Sequence, residues 1–156
     1  MGADARIAEL KLELPPAPKP AGVYKPVLAI AGLAYVSGHG PLRGDKTLIT
    51  GHVGTDLDVA AGYQAARQTG LAILATLRGH FGTLNRIRRV VKLLGMVQCG
   101  PAFKDHPAVI NGCSELFRDV WGDDLGVGAR SAVGMVSLPG GIATEIEVIF
   151  ELAPLE

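Results

Sequence analysis

Apolar and polar positions along the chain follow two periods, one near three and a half residues and one of two. In Arg6-Ile7-Ala8-Glu9-Leu10-Lys11 the apolar residues stand three apart between opposed charges, which predicts a short amphipathic helix ahead of Pro15 and Pro16. Four prolines between Pro15 and Pro20 cannot continue that helix and predict an extended, stiff arm leading to Tyr24. Val27 to Ile30 and Leu33 to Ser37 are β-rich runs separated by Ala31-Gly32, the spacing of a two-residue hairpin. The stretch from Gly38 to Gly54 holds five glycines and little periodicity, so it reads as a loop of a length that is often functional. Thr55 or Asp56 can cap a helix running to about Arg78, with Gly79 as its stop and Val59, Tyr63, Ala66, Gly70, Ile73 and Leu77 facing inward. Its small residues, Gly62, Ala65, Ala66, Gly70 and Ala72, keep it thin enough to lie close to a sheet.

Further along, the near-continuous apolar run within Arg86 to Gln98 predicts a strand buried on both faces at the sheet centre. Asp105 can cap a second helix with Pro107 in its first turn, and Val109, Ile110, Cys113, Leu116, Phe117, Val120 and Trp121 recur at helical spacing until Gly122. Ala129 to Leu138 and Ile142 to Leu152 flank Gly140-Gly141, which predicts a hairpin. Its register places Val133 and Met135 on one face with Ile146, Val148 and Phe150. Arg130, Ala132, Gly134 and Val136 then share the other face with Glu145, Glu147, Ile149 and Glu151. The order strands, helix, strand, helix, strands gives an α+β fold, a single sheet with two helices on one face. The other face lacks a cover, and is a natural place for subunits to meet and leave a cleft.

Length and composition narrow the function. The 156 residues fit a single domain spanning 1–156, with 1–21 as an N-terminal helix and Pro-rich arm. A chain 48% hydrophobic and 19% charged has the material for a core and is not intrinsically disordered. Fifteen basic and fifteen acidic residues cancel, so no global field draws a polyanion, which argues against a nucleic-acid partner. Arg86, Arg88, Arg89 and Lys92 form a local basic run, read either as a solvated strand entrance or as an RNA contact. A mean hydropathy of +0.29 favours hiding apolar surface between subunits, hence a homo-oligomer.

Cys99 and Cys113 are too few for a disulfide framework and read as buried thiols. His52, His80 and His106 share no ligand spacing with each other or with the cysteines, so no metal site is expected. No apolar run is long enough for a membrane span, and Asp4, Arg6 and Glu9 interrupt any signal-peptide core. Arg6 stands where a myristoylation signal after Gly2 wants Ser or Thr. The expectation is a soluble cytoplasmic protein with no membrane partner.

Tyr24, Ser37-Gly38-His39-Gly40-Pro41, Asn111, Gly128-Ala129-Arg130-Ser131-Ala132-Val133, Leu138-Pro139 and Glu145-Ile146-Glu147 together resemble the reactive intermediate deaminase family, RidA/YjgF, from about Tyr24 to Leu152. The N-terminal helix and arm, with Ile110-Asn111-Gly112 and Arg130-Ser131-Ala132-Val133-Gly134, are similar to a longer branch known as endoribonuclease L-PSP. The resemblance implies a chorismate-mutase-like fold, a homotrimer with sites at the subunit interfaces, and hydrolysis of enamines and imines such as 2-aminoacrylate to a 2-keto acid and ammonia without cofactor or metal. On that resemblance Arg130 holds the carboxylate of a small substrate, for which its planar two-donor fork is suited. Glu145 positions and activates water, with Glu147 as its rival. Tyr24, Gly38, His39, Asn111 and Ala132 line the substrate cleft.

Taken only as residues, Arg130 could equally pair with Glu145, Glu147 or Glu151 on its own face, and His39 could be a structural loop histidine. Ala132, Gly134 and His39 stand where better-known deaminases commonly have Cys, Glu and Gln, changes that alter the pocket and leave the natural substrate open. The alternative functions are a trimeric binding protein for small metabolites and an endoribonuclease.

Overall fold

The computed structural model describes residues 1–155. Its elements are α1 (Ala3–Glu9), β1 (Val27–Ile30), β2 (Leu33–His39), α2 (Val59–Phe81), β3 (Ile87–Gln98), α3 (His106–Leu125), β4 (Ala129–Met135) and β5 (Thr144–Leu152). They form an α+β fold in which one mixed five-stranded sheet, ordered β1-β2-β5-β3-β4, carries α2 and α3 on one face. Only β3 and β4 run parallel. The β1–β2 hairpin forms as expected, and Ala31 and Gly32 both take positive φ, 50° and 77°, the turn whose twist matches paired strands. Among the described residues no helix is long and apolar enough to cross a membrane.

The expected β4–β5 hairpin does not form. β5 inserts between β2 and β3, and β4 lies beyond β3 at the sheet edge. Gly140 and Gly141 take positive φ within a 3-10 turn at Pro139–Gly141, and the connection passes over the end of β3. There the buried Gln98 amide accepts the Leu138 N–H at 2.8 Å and donates to the carbonyls of Gly141 at 3.0 Å and Gly51 at 3.1 Å.

With β3 between them, the faces of β4 and β5 also change. Gly95 aligns with Ala132 and Ile146, and Met96 with Val133 and Glu145. Side chains in one row share a face, so Arg130, Ala132 and Gly134 lie on the helix face with Ile146 and Val148. Ser131 and Val133 lie on the open face with Glu145 and Glu147. β3 is not buried on both faces: Ile87, Val90, Leu93 and Val97 are buried, whereas Arg88, Val91 and Lys92 are exposed.

Helix α2 starts later than expected because Asp56 is engaged in the preceding turn, where its carboxylate accepts the His52 N–H at 2.8 Å. Asp58 is the cap, accepting the Ala61 N–H at 2.7 Å, and Gly82, at φ 78°, ends the helix. The two long helices approach closely: a Cβ on Gly112 of α3 would come within 3.0 Å of the Arg67 backbone nitrogen in α2. Beneath them Phe117 packs edge-on against Phe150 and Trp121. Cys99 and Cys113 are both buried thiols. On the open face Ile30 and Tyr35 are 58% and 43% exposed, with Leu28 and Val133 exposed beside them.

Candidate functional site

The end of β2 breaks the regular pairing. Val36 aligns with Val148 and His39 with Ile146, so two residues, Ser37 and Gly38, stand against the single Glu147. Such a bulge shifts the alternation by one and turns the next side chain to the other face. His39, only 6% exposed, therefore points towards α2. Its Nδ1–H donates to the Ser37 carbonyl at 2.6 Å and its Nε2 accepts from the Thr76 hydroxyl at 2.8 Å. Burial pushes its pKa down against the opposing pull of Ser37, which keeps the ring neutral. His39 borders the groove described next, but its ring is engaged in the core.

The bulge leaves Gly38 beneath the Glu145 carboxylate. A Cβ on Gly38 would lie 2.9 Å from the Glu145 carboxyl carbon, so the carboxylate rests on bare backbone. Glu145 is half-buried and has no hydrogen-bond or ion-pair partner among the described residues. Burial first and the nearby Glu147 second raise its pKa above the ordinary glutamate value. Glu147, by contrast, is exposed.

Tyr24, Gly38, His39 and Glu145 border one trough of about 910 Å³ between the Pro-rich arm, β2 and the loop that follows it. The Tyr24 hydroxyl accepts the Ala21 N–H at 3.1 Å, tying the arm to this wall. A second recess of about 530 Å³ on the open face shares Tyr24 and Ser37 with the trough and adds Lys92 and Glu147.

Arg130 lies elsewhere. On β4 it faces α3, where its Nη1 donates to Asn111 Oδ1 at 2.8 Å and Ser114 Oγ at 3.2 Å, in a pocket of about 320 Å³. Both acceptors are neutral, and no carboxylate forms an ion pair with Arg130 among the described residues. The ion pair considered from sequence is thus ruled out in this chain: Glu145 and Glu147 are on the opposite face, and Glu151 pairs with Arg88 at 3.0 Å and Arg89 at 3.6 Å. Burial pushes the Cys113 thiol far up in pKa, opposed by the Arg130 charge.

Ala132 is half-buried against the core, in line with Gly95 and Ile146. The structure therefore groups Tyr24, Gly38, His39 and Glu145 in one place and Asn111 with Arg130 in another. Ser114 was not singled out from sequence, although its i+3 spacing from Asn111 puts both on one side of α3 and could have identified it. Gly134 lies against the Cys99–His106 pair, whose Sγ and Nε2 are 3.5 Å apart, and a Cβ there would come within 2.8 Å of that sulfur. The basic run is largely matched within the chain: besides the two arginines on Glu151, Arg89 also reaches Asp124 at 3.5 Å and Lys92 donates to Ser131 at 3.4 Å.

Residues 4–138 match the family described as "YjgF/chorismate_mutase-like, putative endoribonuclease". That span contains Tyr24, Gly38, Asn111 and Arg130 and ends before Glu145. The chain is 36% identical to Protein TCP17 of Trypanosoma cruzi over 95% of its own length and 92% of that protein. It superposes on a protein of unknown function from Agrobacterium tumefaciens with a TM-score of 0.87 and 41% identity, covering 97% of this chain and 92% of that one. It also matches RidA from the Antarctic bacterium Psychrobacter sp., with a TM-score of 0.61 and 26% identity over 86% of this chain and 93% of that one. With most of its length matched and its sheet and helices arranged alike, the chain belongs to the YjgF/RidA family of chorismate-mutase-like fold.

Proposed function

We propose that this protein is a cofactor-free hydrolase of carboxylate-bearing enamines and imines, acting at sites shared between subunits of a homotrimer. The observation that carries the reading is a pair of charges unmatched among the described residues: the Arg130 guanidinium, held only by neutral acceptors, and the Glu145 carboxylate, held by none. They lie on opposite faces of one sheet, so a second copy of the chain is needed to bring an arginine and a glutamate together.

Asn111 and Ser114 occupy Nη1 and thereby aim the remaining Nε and Nη2 edge, a fork suited to both oxygens of a substrate carboxylate. Glu145 from the neighbouring copy removes a proton from water as the water oxygen bonds to the imine carbon. An enamine first tautomerises to the imine by moving a nitrogen proton to its terminal carbon. After water adds, the nitrogen receives both protons of that water, the first returned by Glu145 and the second given up by the new hydroxyl as its oxygen becomes the keto group. The carbon–nitrogen bond breaks with its electron pair on nitrogen, releasing ammonia and a 2-keto acid. A carboxylate with a raised pKa is a stronger base than an exposed one, which suits it to this transfer.

The test is 2-keto acid release from freshly generated 2-aminoacrylate, with the uncatalysed rate subtracted. Arg130→Ala and Glu145→Gln are each expected to lower the rate by about 100-fold or more. Co-expressing the two inactive variants restores about a quarter of the wild-type rate, because mixed trimers rebuild some intact sites. Wild-type oligomer that binds carboxylates through Arg130 without releasing product would instead support a metabolite-binding protein.

A further inference from the structure

We infer that the trough beside Glu145 selects imines carrying a bulky apolar side chain, with Leu48 and the Pro-rich arm as its specificity-determining walls; this rests on the deaminase reading above. The trough's volume of about 910 Å³ is near the upper end of the roughly 300–1,000 Å³ typical of pockets that enclose whole small molecules. An imine as small as the one from alanine leaves most of it unfilled.

The walls next to the carboxylate are aliphatic. From Gly38, under Glu145, β2 leads to Gly40, where a Cβ would lie 3.0 Å from Ile142 Cδ1 and 3.6 Å from Leu48 Cδ2. Pro16, Pro18 and Pro20 form the outer wall. Leu48 is 42% exposed without a ligand, so an apolar group placed against it removes water from both surfaces.

The arm is held in place at both ends. Pro15 is buried and Leu14 packs on the core at one end, and at the other the Ala21 N–H is bonded to Tyr24. Its prolines fix φ, so this wall loses little freedom when a ligand arrives. Lys19 and Lys46 also border the trough, so its selection rests on apolar bulk and not on the exclusion of acidic side chains.

The experiment uses full-length protein and 2-imino acids generated in place by an amino-acid oxidase from alanine, leucine and phenylalanine. It reads 2-keto acid release above the uncatalysed rate. kcat/KM is expected to rise roughly fourfold per methylene buried, placing the leucine imine tens of times above the alanine imine. Leu48→Lys lowers the leucine-to-alanine ratio by roughly tenfold or more. The paired change Pro18→Gly and Pro20→Gly lowers the same ratio and serves if Leu48→Lys does not fold. A flat or falling series with the alanine imine still hydrolysed overturns the inference and leaves the deaminase reading intact. No acceleration of any imine overturns both.

Discussion

Glu145 and Gly38 illustrate how one missing side chain shapes a reactive group. Because the Glu145 carboxylate occupies the space a Gly38 Cβ would take, Gly38→Ala must push it aside, and a glutamate side chain can yield without disturbing the strand. The expected result is unchanged thermal stability with a loss of kcat of about tenfold to 100-fold, read by melting and turnover of the same sample. The charge on Glu147 gives a second test. It helps hold the Glu145 pKa up, so the acid limb of the kcat/KM profile should lie above the ordinary glutamate range. Glu147→Gln removes the like charge, stabilises the ionised form of Glu145 and should move that limb to lower pH. Both glutamates and Arg130 were legible in the sequence as residue types suited to the chemistry. For His39 the sequence offered a structural reading beside the pocket one and could not choose, because its direction depends on a single inserted residue at Ser37-Gly38 that alternation cannot reveal.

Among the elements, the local ones were the legible ones. The Ala31-Gly32 turn, the stripes of α2 and α3 and the Pro-rich arm each announce themselves within a few residues. The position of β5 does not: its partners β2 and β3 are distant in sequence, and Gly140-Gly141 looks like a hairpin turn whether or not its flanking strands pair. The misplaced pairing carried Arg130 to the wrong face, since side-chain direction follows from which strand lies alongside. The α2–α3 contact explains a glycine that sequence alone treats as a helix weakness. A Cβ on Gly112 would meet α2 backbone, not the yielding tip of a side chain. Gly112→Ala is therefore expected to destabilise the fold by roughly 2–3 kcal/mol in chemical denaturation, despite alanine's better helix propensity.

At the scale of the whole molecule, the uncovered sheet face is the feature that asks for partners. Leu28, Ile30, Tyr35 and Val133 expose apolar surface there, beside the recess containing Lys92 and Glu147. If the proposed trimer uses this face, Tyr35→Asp yields a folded monomer by light scattering, inactive although its own Arg130 and Glu145 are intact. A trimer of normal activity in that variant would place the subunit contact elsewhere. The sheet order has a further consequence for how the protein is made. Of the five strands of this sheet β5 is made last and lies in the middle, so β2 and β3 emerge without the neighbour they will share. During synthesis the sheet remains two separate pieces with open edges, a state prone to pairing with other nascent chains. Closure waits for residues 144–152, which makes folding a late event and gives the cell's chaperones a defined interval in which to act.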